Sequence, residues 1–106
     1  MRTHLGTAPR HVSLIELSGE YDYGSKESVE AALAQLHEHV LVDLSDCQLI
    51  DTAIINVILT KHRELQRDGF RLELIVPPSQ VHLSRIFDLL GIRNLVTVRD
   101  HSPLGL

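Results

Sequence analysis

This 106-residue sequence has one cysteine, no tryptophan and no long apolar run. The single cysteine, Cys47, excludes an internal disulfide and fits a reducing compartment. No window approaches the roughly 20 apolar residues that a membrane-spanning helix needs. Residues 1–10 are polar and lack the apolar segment of a secretory signal peptide. We therefore expect a cytoplasmic protein without membrane insertion.

Surplus positive charge is missing as well. The chain has 10 Lys and Arg residues against 14 Asp and Glu residues, which gives a formal net charge of −4. Proteins that bind nucleic acid present a basic face to the phosphates, so this balance argues against a nucleic-acid partner. The six glycines are scattered and form no phosphate-binding loop. We predict no cofactor.

Apolar residues are plentiful. They make up 43% of the chain, which is enough for a core without disulfides or metal. The length suits one domain and leaves no room for two. We predict a single domain over residues 1–106 with a core at about residues 11–99, and loosely held ends at residues 1–9 and 100–106.

Changes of periodicity along the chain predict alternating strands and helices. Strands are predicted at residues 11–17, 20–23, 39–44, 70–76 and 95–98. Helices are predicted at residues 26–38, at residues 53–67 and between Ser79 and Gly91. The near-continuous apolar run at residues 39–44 is typical of a strand covered on both faces. Strands that alternate with helices form parallel pairs, so the pattern predicts an α/β fold.

Short polar residues and glycines mark the predicted helix ends. Ser25, Asp51 and Ser79 stand where a side-chain oxygen caps a helix N-terminus. Gly69 and Gly91 stand at predicted C-termini, where glycine readily adopts the left-handed conformation.

Three stretches of the sequence carry a family resemblance. They are residues 17–22 (Leu-Ser-Gly-Glu-Tyr-Asp), residues 40–52 (with Val-Leu-Val-Asp-Leu-Ser and then Leu-Ile-Asp-Thr), and residues 69–74 together with 87–92. In order and spacing they resemble the STAS domain, the fold of bacterial anti-sigma factor antagonists. The resemblance covers roughly residues 12–99. It implies a small mixed, mostly parallel sheet with helices packed mainly on one face.

The resemblance also implies a function and its residues. In the family's anti-sigma factor antagonists, the hydroxyl after an Asp at the start of the second helix is phosphorylated by a partner anti-sigma factor, a serine/threonine kinase. The matching hydroxyl here is Thr52. Asp22 matches an acidic position beside the partner-binding surface, to which we also assign Asp51, Ala53 and Asn56. We therefore expect a non-catalytic, regulatory protein-binding module.

The chain departs from the family pattern directly after Thr52. The family motif continues with Ser or Thr and then Gly, whereas Ala53 and Ile54 follow here. This variant of the motif, without glycine, is more similar to the variants of stressosome-type scaffold proteins. The alternative function is therefore a constitutive scaffold or transporter-associated subunit, an ABC-transporter partner that phosphate does not switch. The sequence is also compatible with a homodimer.

Two interpretations of Thr52 stay open from the residues alone. Asp, Ser and Thr are favoured at helix N-caps, so Asp51 and Thr52 can simply start a helix. A helix N-terminus also carries unpaired N–H groups and a partial positive charge, which would stabilise a phosphate on the hydroxyl. The two interpretations are compatible.

Other candidate chemistries lack part of their pattern. Acidic residues near strand ends suggest an aspartyl-phosphate receiver, but no adjacent acidic pair follows the first strand and no lysine follows a late one. The seven histidines show no zinc-ligand spacing. Cys47 has no catalytic His pattern around it. We predict neither a metal site nor enzyme activity, and we expect Asp43 to make structural hydrogen bonds within its loop.

Overall fold

The structure is a computed structural model that describes residues 1–4 and 12–103. His11, with which the first predicted strand begins, lies outside the described residues. The strands are β1 (Arg2–His4), β2 (Val12–Glu16), β3 (Gly19–Tyr21), β4 (His39–Asp43), β5 (Cys47–Ile50), β6 (Leu72–Ile75) and β7 (Thr97–Arg99). The helices are α1 (Lys26–Ala34), α2 (Thr52–Arg67) and α3 (Val81–Leu89), with short 3₁₀ turns at Tyr23–Ser25 and Ile92–Asn94.

Five of these strands form the main sheet, in the order β1-β2-β4-β6-β7. Strands β2, β4, β6 and β7 are parallel, whereas β1 pairs antiparallel with β2 at the edge. Strands β3 and β5 form a separate two-stranded parallel sheet. The predicted mixed, mostly parallel sheet is confirmed.

The two faces of the main sheet are both buried, but unequally. Val40 and Val42 of β4 face the main core, to which all three helices contribute buried side chains. Leu41 faces the other way and forms a smaller buried cluster with Leu14 and Ile75. Because side chains alternate between two buried faces, β4 is apolar along its centre, as the run at residues 39–44 predicts. The helices pack on the face of the main core, as the resemblance implies.

Helix α2 is held by one buried stripe, formed by Ile54, Ile55, Ile58, Leu59 and Leu65. Burying an aliphatic side chain of this size stabilises a fold by roughly 1.5–3 kcal/mol. Gly69 follows the helix with a φ of +84°, a left-handed conformation that ends it where predicted. Within residues 12–103 no helix combines the length and apolar character needed to cross a bilayer.

Two strands correct the predicted pattern. Residues 1–9 are predicted to be loosely held, yet residues 2–4 form β1 against residues 14–16. No strand is predicted at Cys47–Ile50, which forms β5. Its register with β3 skips Gln48, and its burial therefore lacks the alternation that predicts a strand. Both strands are defined by pairing with distant residues, which local periodicity does not reveal.

Two helix ends also differ from the prediction. Helix α1 ends at Ala34 and not at Glu38, because the chain leaves the helix to bury Leu36 in the core. The N-cap of α3 is Gln80 and not Ser79. Ser25 is the N-cap residue of α1, as predicted, but its side chain makes no capping hydrogen bond.

Gln80 ties the start of α3 to the loop between β4 and β5. Its side-chain Nε2 donates to the backbone carbonyl oxygens of Leu44, Ser45 and Cys47, at 2.9, 2.9 and 2.8 Å. An amide nitrogen carries two hydrogens, so at least one of them is shared between two carbonyls. The bonds hold the loop where the chain passes from the main sheet into the small sheet.

Replacing Gln80 by Glu should lower the free energy of unfolding by about 2–4 kcal/mol, because a carboxylate of the same shape donates nothing and faces three carbonyl oxygens. Urea denaturation measures the loss. The matched control is Gln48→Glu at an exposed position of β5, which should change stability by less than about 0.5 kcal/mol. Equal losses in the two variants would contradict a specific role for the Gln80 amide.

Candidate functional site

The small sheet brings Asp22 and Asp51 to one edge of the molecule. Tyr21, the last residue of β3, is in register with Ile50, the last residue of β5. The backbone N–H of Asp51 continues this pairing and donates to the carbonyl oxygen of Tyr21, at 2.8 Å. Since the strands are parallel, the residues that follow them leave the sheet side by side. Two segments that lie about 30 positions apart in the sequence therefore form one surface.

Asp51 is the N-cap of α2. Its backbone is extended, and its Oδ1 accepts a hydrogen bond from the Ala53 N–H at 2.8 Å. Its carbonyl oxygen accepts from the N–H of Ile54 at 3.0 Å. The capping interpretation of this motif is thus satisfied by Asp51 alone.

Thr52 is the first residue of α2, and its side chain is exposed. The described residues include no hydrogen-bond partner for its hydroxyl, which is free for modification or for contact with another molecule. The geometry agrees with the predicted entry into the helix at Asp51. The phosphorylation of Thr52 stays a prediction.

Asp22 is exposed and begins the short 3₁₀ turn that leads into α1. Its carbonyl oxygen accepts from the Ser25 N–H at 3.0 Å. Its carboxylate lies close to Gly24. A Cβ at position 24 would lie only 3.1 Å from the Oδ1 of Asp22. The Ser25 hydroxyl lies 3.5 Å from the same Oδ1. Asp22 is thus an exposed residue directly after β3, next to the segment in which Asp51 follows β5.

A groove between α1 and α2 adjoins this edge. Its volume is about 460 Å³. Ala53 and Asn56 of α2 line one side, and Lys26, Glu30 and Ala34 of α1 line the other. Asn56 lies one turn after Thr52, so the two side chains share a face of α2.

We name Asp22, Asp51, Thr52, Ala53 and Asn56 the docking edge.

The α1 side of the groove was not predicted. Lys26 and Glu30 are charged residues on a helix, and such residues usually form a solvated face. Deeper in the groove, the Lys61 side chain is buried, with its Nζ 3.9 Å from a carboxylate oxygen of Glu64. Mixed charges along the groove would suit a partner that carries both signs.

Cys47 is a core residue. It is 1% exposed, and its Sγ lies 3.4 Å from the carbonyl oxygen of Leu49. Burial raises the pKa of the Cys47 thiol, which keeps it protonated and unreactive near neutral pH. This agrees with the interpretation of Cys47 as a packed side chain.

Asp43 and His39 have structural partners. The Asp43 Oδ1 accepts from the backbone N–H of Ser45 at 2.9 Å and from its hydroxyl, as predicted for a loop-forming carboxylate. The Nδ1 of His39 accepts from the Arg71 N–H at 3.1 Å, and its ring meets the edge of Phe70. Among residues 1–4 and 12–103, no three His, Cys, Asp or Glu side chains gather into a metal-binding group.

Comparison with known proteins gives consistent matches. A family model described as "Mlab, STAS domain" matches residues 6–97. An anti-sigma F factor antagonist from Paenibacillus polymyxa is 26% identical over 102 residues, which cover 92% of this chain and 86% of that protein.

Solved structures share the fold. The anti-sigma factor antagonist SpoIIAA in its unphosphorylated form matches with a TM-score of 0.70 at 19% identity, covering 95% of this chain and 90% of that chain. The Bacillus cell fate determinant SpoIIAA in its phosphorylated form matches with a TM-score of 0.66 at 19% identity, covering 92% and 90%.

Replacing Asp51 by Ala should lower the free energy of unfolding by about 1 kcal/mol, because the Ala53 N–H loses its capping acceptor. Asp51→Asn keeps an acceptor and should retain most of the stability. Thr52→Ala is the matched control and should change stability by less than about 0.5 kcal/mol. Urea denaturation measures all three. A larger loss from Thr52→Ala than from Asp51→Ala would identify Thr52 as the cap instead.

Stability should also fall in alkaline solution. Because burial raises the pKa of Cys47, the folded state holds the thiol proton more tightly than the unfolded state does. The resulting stability is complete below the unfolded pKa of about 8.5 and is lost as pH rises through the folded value. Burial raises the pKa of Tyr21 as well, which adds to the decline at higher pH.

The measurement is the free energy of unfolding in urea from pH 7 to pH 10.5. Cys47→Ala should flatten the plot of unfolding free energy against pH in the region that begins near the thiol pKa. This holds whatever the effect of the substitution on stability at pH 7. An unchanged slope in that variant would show that the Cys47 proton is held equally in both states.

Proposed function

The chain belongs to the STAS domain family, and we propose on that basis that it is a non-catalytic regulatory module that binds another protein through the docking edge. The proposed partner is an anti-sigma factor of the serine/threonine kinase type. That partner phosphorylates Thr52, and the phosphate releases it. The chain thereby acts as an anti-sigma factor antagonist.

One observation carries the proposal: Thr52 is exposed at the first position of α2, directly after the residue that caps the helix. A hydroxyl that capped the helix would be occupied and shielded. Here the carboxylate of Asp51 performs the capping, so a kinase can reach the hydroxyl without unwinding the helix.

The physical basis of release is the cost of burying charge. Phosphate adds roughly −1.5 to −2 charges at pH 7. It would join the carboxylates of Asp22 and Asp51 on one small surface. An interface that closes over the neutral hydroxyl would have to desolvate this added charge, which is unfavourable unless the partner supplies matching donors. The unmodified form therefore binds more tightly than the modified form.

The relatives support this choice of partner class. The Paenibacillus polymyxa relative is by name an anti-sigma F factor antagonist. One of the structural matches is a phosphorylated form, so a protein of this fold carries phosphate. In this chain the docking edge offers a hydroxyl for the same kind of modification.

Incubation with the cognate anti-sigma kinase and ATP should add one phosphate, detected by intact mass spectrometry and located at Thr52 by peptide fragmentation. Thr52→Ala should accept none. The matched control, Thr97→Ala, removes an exposed threonine of β7 that does not line the α1–α2 groove, and it should be phosphorylated as wild type is. Phosphorylation of Thr52→Ala at the wild-type rate would show that the site assignment is wrong.

A second candidate function is a constitutive scaffold or transporter-associated subunit. The description of the matching family model names Mlab and not an anti-sigma factor antagonist. Ile54, which stands where the family motif has Gly, is fully buried in the core. In this role the α1–α2 groove docks permanently and phosphate has no effect.

Co-purification from the native host separates the two functions. A partner that is released when Thr52 is phosphorylated, but retained by Thr52→Ala, supports the antagonist. A stable complex with a transporter ATPase or a large homologous assembly, unaffected by phosphate, supports the scaffold.

A further inference from the structure

A second surface feature lies at the far end of α2 from Thr52. It is a crevice of about 290 Å³ between the C-terminal half of α2, the start of β6 and β7, and the second 3₁₀ turn. Thr52 and His62 are ten residues apart on one helix, which corresponds to about 15 Å. The crevice is therefore separate from the docking edge.

Hydrogen-bond donors dominate the polar lining of this crevice. They are contributed by His62, Gln66, Arg71, Arg93, Asn94 and Thr97. One carboxylate, that of Glu73, also borders the crevice. Its two oxygens are engaged by Arg99, at 2.6 and 3.3 Å, so its charge is largely compensated.

Arg71 supplies the unbalanced positive charge. Arg71 borders both this crevice and a neighbouring pocket that Glu73 and Arg99 also line. Its exposed side chain makes no ion pair or hydrogen bond with the residues that the structure describes. Its backbone N–H, by contrast, is fixed by the bond to His39 Nδ1. A free guanidinium on an anchored backbone stands out in a chain whose formal net charge is −4.

Arg93 is held in a fixed orientation. Its Nε donates to Asp88 Oδ1 at 2.8 Å in an ion pair that offsets its charge, and its Nη2 donates to Ser84 Oγ at 2.9 Å. These bonds leave Nη1 without a partner among the described residues. A guanidinium whose position is set in advance loses less entropy when it binds a planar or tetrahedral oxyanion.

His62 adds unused hydrogen-bonding capacity. Its Nδ1 is buried and has no hydrogen-bond partner in the described part of the chain. Buried polar atoms are nearly always paired in folded proteins, so this nitrogen of a crevice-lining residue still has the capacity for one hydrogen bond.

We propose that this crevice binds a small molecule through a phosphate or carboxylate group, with Arg71 and Arg93 as its principal contacts. The volume lies just below the range of about 300–1,000 Å³ that is typical of drug-sized ligands, so the ligand is a compact metabolite and not a dinucleotide. This site goes beyond the proposed function and does not depend on it, since none of its residues belongs to the docking edge.

The test is a ¹H–¹⁵N NMR titration of the ¹⁵N-labelled chain with inorganic phosphate, with succinate and with sodium chloride at matched ionic strength. Phosphate or succinate should produce saturable shifts at the Arg93 Nε–H and at the side-chain amides of Gln66 and Asn94. Saturation by one of them identifies the preferred oxyanion, and saturation by both indicates a general oxyanion site. Shifts from both that match those from chloride would overturn the proposal.

Variants assign the binding to the crevice. Arg71→Ala should weaken it by about tenfold or more, because a charge-assisted hydrogen bond is lost. Arg71→Lys keeps the positive charge but loses the paired N–H donors of the guanidinium, and it should weaken binding less. The matched control Arg85→Ala removes an exposed arginine of α3 outside the crevice and should leave the affinity unchanged. Equal weakening by Arg71→Ala and Arg85→Ala would show that only the net charge of the protein matters, and would refute the site.

Discussion

The parallel pairing of β3 with β5 is the interaction on which the docking edge depends. Neither strand belongs to the main sheet, and each has at most four residues. The hydrogen bond from Asp51 N–H to the Tyr21 carbonyl closes this pairing at the point where α2 begins. Without it, Asp22 and Thr52 would belong to two independent loops. The buried side chains of Tyr21 and Ile50 supply the hydrophobic contact that keeps such a short pair together.

The small sheet is in turn positioned by the loop after β4. Leu44 is fully buried, and its N–H donates to the Ile75 carbonyl, which ties the loop to β6. The Gln80 amide binds the same loop from the start of α3. The orientation of β5, and with it the entry into α2, is thus set by contacts with both the main sheet and the third helix. A residue far from the docking edge in sequence helps to define its shape.

The sequence predicts those parts of this arrangement that local patterns encode. The apolar stripe of α2, the run at β4, the stop at Gly69 and the cap at Asp51 each have a signature within a few residues, and each is found in the structure. Strand β5 has no such signature, because its bulge at Gln48 removes the alternation. The groove was missed for a related reason: its α1 wall consists of residues that are ordinary on a solvated helix until α2 is packed beside them. The roles of the docking-edge residues rest on the family resemblance, and the structure adds their proximity.

The packing of α2 against the core determines how a phosphate on Thr52 would act. The Thr52 hydroxyl has no hydrogen-bond partner among the described residues, and the cap at Asp51 does not involve it. The next two turns are anchored by Ile54, Ile55 and Ile58, all buried. Modification would therefore remove no bond that the fold requires and would leave the helix in place. A modification changes a binding equilibrium only through the difference in its free energy between the free and bound states. If Thr52 is phosphorylated as proposed, that difference would arise in the complex, where the phosphate would be desolvated, since the free protein loses no hydrogen bond at Thr52. On this proposal, the strength of the switch would depend on how closely the partner covers the first turn of α2.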